Sequence, residues 1–576
     1  MPTITIDGKV VECASGKTVI EAALENGVDV PHFCWHPALS VSGNCRMCLV
    51  EVEKLPKLAI ACATLVADGQ VVHTNNERVT KAREAIMEFL LINHPLDCPI
   101  CDEAGQCKLQ DYAFSHGRGE SRFTELKVHK DKRVPLGPEV LFDAERCISC
   151  SRCIRFSDEI ADQPVLTFVN RGDHVTIETF PGTELDNSYS MNVIDICPVG
   201  ALTSRDFRFR ARVWDMSFND SICPGCARGC NMQAGVRNNE IMRLEPRTNM
   251  KVNEYWMCDP GRLGEYRYVN ENRVIRPVVR RGDQTMEVDW DDAHQEVMAG
   301  LRTLKPSEIA FIGSPYASCE ENYVLARFAR EVAGSPHVDL VEHIDPSFAD
   351  KKLRMADRTP NMRGAREVGI VPNKAGFDLK GIIEGIKNGR IKALYVLDPM
   401  MPVDDEFAAA LANLHMLVVH AWNPTPITRF AHVIFPTSTY AEKEGTFVNG
   451  NGMVQHFMPA VVTQENERIM GMKLSRLDKF GAYNDRWTHG ERRDCRPAWH
   501  TLKALARLSG TRWDYQWAED IFEEITGKVS SFRGMSYEQL DQYHGVELTR
   551  GDRPTPHGWM YVPHEFRPQS MTSEKV

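Results

Sequence analysis

No apolar run in these 576 residues approaches the ~18 residues that a membrane-spanning helix needs. The first residues lack the basic segment followed by an apolar one that marks a secretory signal, so we expect no export. Positively charged residues are outnumbered by negatively charged ones. The chain has 68 Lys and Arg against 79 Asp and Glu, and its net charge of −11 has the wrong sign for nucleic-acid binding. The motifs that bind dinucleotides (G-x-G-x-x-G after a strand), nucleotide phosphates (a Walker loop) and catalytic zinc (H-E-x-x-H) are all missing. The binding site for a two-electron donor is therefore expected on a partner.

Cysteine, by contrast, is abundant: the chain has 18, and 16 of them precede residue 260. Proteins that are not exported keep their thiols reduced, so regularly spaced cysteine indicates metal rather than disulfides. Fifteen cysteines and one histidine form four groups: Cys34, Cys45, Cys48 and Cys62; His94, Cys98, Cys101 and Cys107; Cys147, Cys150, Cys153 and Cys197; Cys223, Cys226, Cys230 and Cys258. We interpret the other three, Cys13, Cys319 and Cys495, as small buried hydrophobic residues.

The first group has three cysteines on one stretch and a fourth further on, as in plant-type [2Fe–2S] ferredoxins, although its first spacing is x10 rather than x4. Gly43 precedes the pair Cys45 and Cys48, where a close approach of the backbone to a cluster favours glycine. A zinc site prefers two C-x2-C pairs, and this group has only one. We therefore predict a [2Fe–2S] cluster. His32 and His36 flank Cys34 and are expected to pack around the site rather than to bind metal.

The second group is compatible with zinc held by three cysteines and a histidine, and spacing alone does not exclude that alternative. His94 could also simply cap the carbonyl groups at the end of a helix. Pro95 and Pro99 stiffen the turn, and candidate clusters lie on both sides in sequence, which favours a ligand role for His94. A neutral histidine in place of a thiolate is expected to raise the reduction potential of a [4Fe–4S] cluster.

The third and fourth groups each predict a [4Fe–4S] cluster. In the third, three cysteines spaced C-x2-C-x2-C wrap three corners of a cubane and Cys197, followed by Pro198, supplies the fourth. The fourth group is spaced C-x2-C-x3-C-x27-C. One [2Fe–2S] and three [4Fe–4S] clusters in one chain indicate a path for single electrons, and no residue need be catalytic. A basic run nearby, Arg205, Arg208, Arg210 and Arg212, is expected to be a solvated or subunit-facing surface.

The fold class expected is multidomain α/β and α+β. Strands around Asp7-Gly8, then a helix that begins with the capping-box residues Thr18 and Glu21, open a β-grasp ferredoxin domain. Residues 79–93 predict an amphipathic helix whose buried stripe is Ala82, Ala85, Ile86, Phe89 and Leu90. After about residue 275, apolar strands alternate with helices, which predicts a doubly wound parallel sheet. The prolines of the last 60 or so residues suggest a segment that wraps over a surface or frays.

Three cysteine-bearing stretches, 31–37 (PHFCWHP), 93–101 (NHPLDCPIC) and 197–202 (CPVGAL), together with the order of the four groups, resemble the large iron–sulfur subunit of respiratory complex I. Residues 441–449 (AEKEGTFVN) are similar to the molybdopterin oxidoreductase domain. The resemblance implies six domains. They are a [2Fe–2S] β-grasp domain (1–78), a small helical domain with the histidine-ligated [4Fe–4S] cluster (79–120), a ferredoxin-like [4Fe–4S] domain (138–215), a [4Fe–4S] domain of molybdopterin-oxidoreductase type (216–272), an α/β scaffold without pterin (273–510), and a C-terminal extension (511–576).

The family implies that electrons pass from NADH, through FMN on a neighbouring subunit, to this chain and on toward quinone, with protons translocated by the whole complex. The implied partners are the flavin and NADH-binding subunit, a small [2Fe–2S] subunit, a two-cluster ferredoxin-like subunit and the quinone-site subunits. The implied location is peripheral, on the cytoplasmic side of a bacterial inner membrane. The fourth cluster lies off the electron path in the family. Bacterial members are often longer, so the C-terminal domain is expected to be trimmed, and Cys319 lies too early to be a molybdenum ligand.

Three alternatives are open at this stage. The chain could be the cluster-bearing subunit of an NAD-dependent formate dehydrogenase, although the roughly 300 residues after Cys258 are few for a bis-pterin domain. It could belong to an iron-only hydrogenase, although cysteine-rich active-site motifs are absent after residue 260. A zinc-stabilised binding protein is the third alternative, and it would be colourless.

Overall fold

A computed structural model describes residues 1–282, 284–373, 375–473 and 490–549, with the backbone alone for residues 469–473. The described residues form two compact units, 1–215 and 216–549. Within the described part of the chain, no helix is both long enough and apolar enough to span a membrane. All four prolines of the predicted C-terminal extension lie beyond residue 549 and thus outside the described residues.

The first unit begins with a five-stranded sheet of spatial order β2-β1-β5-β3-β4 packed on one helix. Its elements are β1 (Thr3–Ile6), β2 (Lys9–Glu12), α1 (Val19–Glu25), β3 (Leu49–Val52), β4 (Ala59–Ile60) and β5 (Val71–His73). Asp7 and Gly8 both have positive φ, as a tight hairpin between β1 and β2 requires. Thr18 and Glu21 form the predicted capping box at the start of α1. The β-grasp prediction is confirmed.

Next come the helices α2 (Glu77–Ile92) and α3 (Lys108–His116). The predicted apolar stripe on α2 is wrong: Phe89 is 74% exposed, and the buried side chains are Val79, Arg83 and Met87, spaced four residues apart. Arg83 turns inward because its guanidinium donates a hydrogen bond to the carbonyl oxygen of Leu49, at the start of β3 (3.0 Å). The prediction from hydrophobicity put Arg83 on the exposed face of α2, and so assigned the wrong face of the helix to the core.

The rest of the first unit consists of short elements around two small sheets. They are β6 (Val134–Pro135), β7 (Val140–Phe142), α4 (Arg152–Arg155), a π-helical turn (Phe156–Ile160), β8 (Leu166–Val169), β9 (Thr176–Thr179), α5 (Asn192–Asp195) and β10 (Leu202–Ser204). The sheets have the orders β10-β7-β6 and β8-β9, with antiparallel pairing throughout. Pairing of β10 with β7 brings the region after Cys197 back to the region before Cys147.

The second unit begins with a three-stranded antiparallel sheet and two short helices. These are β11 (Ser217–Ile222), β12 (Asn231–Arg237), β13 (Glu240–Pro246), α6 (Asp259–Gly264) and α7 (Arg267–Asn270). The register Ile222↔Asn231 places the residues just beyond the two strand ends, Cys223 and Cys230, side by side. The backbone N–H of Cys223 donates to the carbonyl oxygen of Cys230 (2.8 Å).

A seven-stranded sheet forms the centre of the second unit, in the order β15-β14-β20-β19-β18-β16-β17. Its strands and helices are β14 (Val278–Arg281), β15 (Gln284–Glu287), α8 (Trp290–Arg302), β16 (Ile309–Gly313), α9 (Cys319–Arg327), β17 (His337–Leu340), α10 (Met362–Glu367), α11 (Leu379–Lys387), β18 (Ala393–Val396), α12 (Asp405–Leu411), β19 (Met416–Ala421) and β20 (Val433–Pro436). A π-helical turn, Phe328–Val332, extends α9. Strands β16 to β20 pair in parallel, which confirms the doubly wound prediction, and β14 and β15 add an antiparallel edge.

A further sheet and four helices complete the second unit. They are β21 (Gly445–Val448), β22 (Met453–Phe457), α13 (Gln464–Lys473), α14 (Ala498–Leu508), α15 (Ala518–Lys528), α16 (Tyr537–Gln542) and β23 (Val546–Glu547). Apolar side chains of α8, α9, α14 and α15 share one core with one face of the central sheet, for example Leu502 and Phe522 with Phe311 and Tyr395. Cys319 and Cys495 are fully buried in this unit, and Cys13 is buried in the first, as predicted.

We expect Met87→Ala to lower the free energy of unfolding by about 2–5 kcal/mol, the usual cost of truncating a buried large side chain. Phe89→Ala on the same helix should change it by less than about 0.5 kcal/mol, because that side chain is exposed. Denaturant unfolding of the two full-length variants measures both. Equal costs, or a larger cost for Phe89→Ala, would show that the predicted stripe is buried after all.

His456, on β22, connects that strand to α16. Its Nδ1 lies 2.9 Å from the carboxylate of Asp541, its Nε2 lies 3.6 Å from that of Glu444, and its ring stacks on Tyr537. Burial by itself would lower the pKa of His456, but the two carboxylates outweigh burial and raise the pKa to about 9.

Because the folded pKa lies above the unfolded value, this ion pair contributes its full stability below about pH 6.5 and loses it as the pH rises through 9. We expect the free energy of unfolding to fall by about 2 kcal/mol less over this pH range in His456→Gln than in the unmodified protein. This figure is lower than the pKa shift alone would give, because Asp541 is exposed and water screens its charge. Thermal unfolding of both proteins from pH 6 to 10 measures the difference. Parallel profiles would rule out a charged His456.

Candidate iron–sulfur sites

The first site (Cys34, Cys45, Cys48 and Cys62) is built on β3 and β4 and on the loop that precedes them. Antiparallel pairing of β3 with β4 brings Cys48 and Cys62 together, and the backbone N–H of Ala61 donates to the carbonyl oxygen of Cys48 (3.0 Å). The backbone N–H of Cys34 donates to Cys45 Sγ (3.4 Å). Gly43 has a φ of +65°, a conformation that favours glycine, and a Cβ atom there would lie 3.0 Å from Ile60 Cδ1.

The four thiols of the first site interact as two hydrogen-bonded pairs, Cys34 with Cys45 and Cys48 with Cys62. The hydrogen bond from Cys45 lowers the pKa of Cys34 to about 5, and the bond from Cys62 lowers that of Cys48. The same two bonds raise the pKa of Cys45 and of Cys62, so within each pair one thiol gives up its proton before the other. His32 and His36 are buried beside this site: His32 Nδ1 donates to the carbonyl of Val30 (2.8 Å), which is a packing role.

The second site (His94, Cys98, Cys101 and Cys107) lies between α2 and α3. Cys107 is the residue that precedes α3, and His94 lies just after the end of α2. The three cysteines are neighbours, with Cys101 and Cys107 buried and Cys98 exposed. Arg146 is the neighbour that His94 and Cys101 share.

Burial determines the protonation states at the second site. Burial raises the pKa of Cys107 to about 12 and lowers that of His94 to about 4, with Lys127 and Arg146 adding to the effect on His94. His94 is therefore neutral at physiological pH, which is the form that binds metal through nitrogen.

The third site (Cys147, Cys150, Cys153 and Cys197) lines one cavity together with Ser151, Arg152 and apolar side chains. Ser149 and Ser151, the residues between its first three cysteines, both have positive φ, so the backbone curls around the cavity. The backbone N–H of Ser149 donates to Cys147 Sγ (3.4 Å), the kind of bond that tunes cluster potentials. Burial raises the pKa of all four thiols, that of Cys147 to about 11.

The fourth site (Cys223, Cys226, Cys230 and Cys258) lines a second cavity, in the second unit. Cys223 and Cys230 lie at the facing ends of β11 and β12, and Cys258 precedes α6. A Cβ atom at Gly261 would lie 3.2 Å from Cys223 Sγ and 3.3 Å from Cys258 Sγ, so glycine leaves the room that the sulfur atoms need. Burial raises the pKa of Glu265, in the same cavity, to about 7.

In the first unit, the third site adjoins the second. The loop after Cys197 lies against the second site: a Cβ atom at Gly200 would stand only 2.2 Å from Cys101 Sγ. Cys107 Sγ is 4.0 Å from the carbonyl oxygen of Pro198. The two groups of ligand candidates are therefore separated by little more than one stretch of backbone.

The donor sets of these sites match the chemistry of an iron–sulfur cluster. A cubane places iron and sulfide between its ligands, so its thiolates need not converge on one point. The third and fourth sites each place four cysteines around one cavity, and at the fourth a glycine leaves room for the sulfur atoms. Both features match a [4Fe–4S] cluster.

Two arginines near the second site were not predicted as part of it. Arg212, predicted at a solvated or subunit-facing surface, is half-buried, and its guanidinium also donates to the carbonyl oxygens of Cys101 (2.7 Å) and Pro99. Arg146 is buried beside Cys101 and pairs with Asp97 (2.9 Å). The spacing of cysteines along the chain predicts candidate ligands. It does not predict cations such as these, because they are distant in sequence and only the fold brings them close to the site.

Comparison with known proteins supports this arrangement. Five family descriptions match the chain: a 2Fe-2S iron-sulfur cluster binding domain (1–77), the NADH-ubiquinone oxidoreductase-G iron-sulfur binding region (83–122), the ferredoxin-like domain of NADH-quinone oxidoreductase subunit 3 (137–203), the molybdopterin oxidoreductase Fe4S4 domain (216–270) and molybdopterin oxidoreductase (351–469). The expected order of [2Fe–2S], [4Fe–4S] and molybdopterin-oxidoreductase-like parts is confirmed.

Curated relatives include the G subunit of NADH-quinone oxidoreductase from Rickettsia bellii, 42% identical over 58% of this chain and 48% of the relative. The 75 kDa subunit of NADH-ubiquinone oxidoreductase from Reclinomonas americana is 43% identical over 53% of this chain and 41% of the relative. The chain spans about half the length of these relatives. Among solved structures, an NAD+-reducing [NiFe]-hydrogenase chain is 31% identical over 37% of this chain and 91% of its own length, but its TM-score of 0.34 supports no argument. The resemblance to the large iron–sulfur subunit is confirmed over the matched part of the chain.

We expect Gly261→Ala to disturb the fourth site alone, because the added methyl group would press on two of its sulfur atoms. Gly264→Ala, on the same helix α6, is the matched control, since a Cβ atom there has no neighbour within 4 Å. Low-temperature EPR of the reduced full-length variants should show one signal weakened in the first and none in the second. Equal spectra would show that Gly261 does not border a cluster.

Proposed function

We propose that this chain, a relative of the G subunit of NADH-quinone oxidoreductase, is an electron-transfer subunit of the peripheral arm of such a complex. The observation that carries the proposal is the pair of cavities, each lined by four cysteines in the spacing of a [4Fe–4S] cluster. The third site adjoins the second in one unit, as a relay needs.

The proposed ligands are the sixteen residues of the four sites. Cys34, Cys45, Cys48 and Cys62 would hold a [2Fe–2S] cluster. Three [4Fe–4S] clusters would be held by His94, Cys98, Cys101 and Cys107, by Cys147, Cys150, Cys153 and Cys197, and by Cys223, Cys226, Cys230 and Cys258. When bound, such clusters accept and release one electron at a time without forming or breaking bonds to substrate. The protein's part is to bury the thiolates, to place cations such as Arg146 and Arg212 beside them, and to fix their separation.

The proposed partners follow from the family resemblance stated in the sequence analysis. NADH and FMN would be bound by a flavin subunit. A small [2Fe–2S] subunit, a two-cluster ferredoxin-like subunit and the quinone-site subunits would complete the arm. The complex would translocate protons, and this chain would sit peripherally on the cytoplasmic side of a bacterial inner membrane. The fourth site would lie off the main electron path.

We propose further that the central sheet of the second unit serves as a scaffold without pterin. Ligands of doubly wound sheets bind where the strand order reverses, which here is between the carboxyl ends of β16 and β18. In this protein, Tyr316 follows β16 and packs against His343 (5.3 Å between ring centroids) and Trp422 (6.0 Å). His343 in turn bonds to Asp398, which follows β18 (2.7 Å). These side chains contact one another at that point of the sheet, which supports a scaffold without pterin.

Anaerobic purification of the full-length chain tests the proposal. We expect about 14 iron atoms and matching acid-labile sulfide per chain, as one [2Fe–2S] and three [4Fe–4S] clusters require, without stoichiometric zinc or molybdenum. Cys150→Ser should remove one EPR signal, whereas Cys13→Ala, a buried cysteine outside the sites, should remove none. His94→Cys should shift only the second signal. Absence of labile sulfide would overturn the proposal, and stoichiometric molybdenum would favour a formate dehydrogenase instead.

A further inference from the structure

One face of a short helical segment lies against both the first and the third site. The segment comprises α4 and the π-helical turn that follows it, and we call it the bridging helix (152–160). Arg152, Arg155 and Glu159 lie on the face that meets the loop 34–45 of the first site. The bridging helix also contains Cys153, a ligand candidate of the third site.

Arg155 is the residue of this face whose hydrogen bonds reach a candidate ligand residue of each site. Its Nη2 donates to the carbonyl oxygen of Cys34 (2.5 Å) and is 3.5 Å from the carbonyl oxygen of Cys150. Its Nη1 donates to the carbonyl of Ser40, and its Nε donates to Ser151 Oγ (3.2 Å). A single cation is therefore hydrogen-bonded to one candidate ligand residue of the first site and to one of the third.

The neighbouring contacts hold the two sites together without joining ligand residues of both. Arg152 donates to the carbonyl oxygens of Trp35 and Ile196 (3.0 Å to the latter). Glu159 accepts from the backbone N–H of Ser40 (2.8 Å). Asn44 Nδ2 donates to the carbonyl of Ser149 (3.0 Å). The loop would thus stay attached if Arg155 were changed, which makes its charge testable apart from the docking.

We propose that Arg155 is a positioning residue that raises the reduction potentials of the first and third centres together and keeps them matched for electron transfer. This inference rests on the proposed function. A fixed positive charge favours the reduced, more negative state of a nearby cluster, and net charge and hydrogen bonding are established determinants of cluster potential. A guanidinium keeps its proton under all physiological conditions, so the effect does not vary with pH.

In the proposed relay, one electron would pass from the first site to the third, so the donor would be oxidised by one electron and the acceptor reduced by one. No proton or further reactant is needed. Because the carbonyl of Cys34 is 1 Å nearer to Nη2 than that of Cys150, the first centre should depend on Arg155 more strongly than the third.

Redox titration of the full-length protein, followed by EPR, compares Arg155→Gln with Arg155→Lys. In Arg155→Gln we expect the reduction equilibrium of the first centre to shift about tenfold toward the oxidised form, which is about 59 mV for one electron, and that of the third to shift less, in the same direction. Arg155→Lys keeps the charge, so both potentials should stay within a few-fold of the unmodified protein. The second site, whose cationic neighbours are Arg146 and Arg212, provides an internal reference.

Unchanged potentials in Arg155→Gln, or equal shifts in Arg155→Lys, would overturn the inference. If Arg155→Gln fails to retain its clusters, Arg155→Lys decides: retained potentials support the role of charge, and lowered ones contradict it. Iron and labile sulfide of the unmodified protein are measured beside both variants. A protein without clusters would refute the proposed function, whereas full clusters with unmoved potentials would refute the role of Arg155 alone.

Discussion

Four cysteine thiolates in one small cavity repel one another, and burial adds the cost of removing each charge from water. Both costs apply at the third and fourth sites, where burial raises the pKa of every thiol that lines the cavity. Without a cationic centre these thiols stay protonated. A metal cluster offsets both costs by binding the thiolates directly, so the fold of these segments and the loading of metal depend on each other.

Features encoded by neighbouring residues were predictable from the sequence. The hairpin at Asp7-Gly8, the capping box at Thr18 and the parallel strands of the second unit each follow from local rules, and the structure confirms them. Cysteine spacing likewise selected the four residues that line the third cavity and the four that line the fourth. Such features need no knowledge of the rest of the chain.

Features that depend on distant contacts were not predictable. The face of α2 was assigned wrongly because Arg83 finds a carbonyl partner on β3, far away in sequence. Arg212 is half-buried, and its contact with a carbonyl group of the second site could not be read from the basic run in which it lies. The left-handed backbone of Ser149 and Ser151 is likewise visible only in the structure, since neither residue type requires it.

None of the four candidate groups is interleaved with another along the chain: the first is complete at residue 62, the second at 107, the third at 197 and the fourth at 258. During synthesis on the ribosome, each set of donors therefore emerges in full before the next begins. The linear order of the donors would therefore let each proposed centre be assembled from one continuous stretch of the chain.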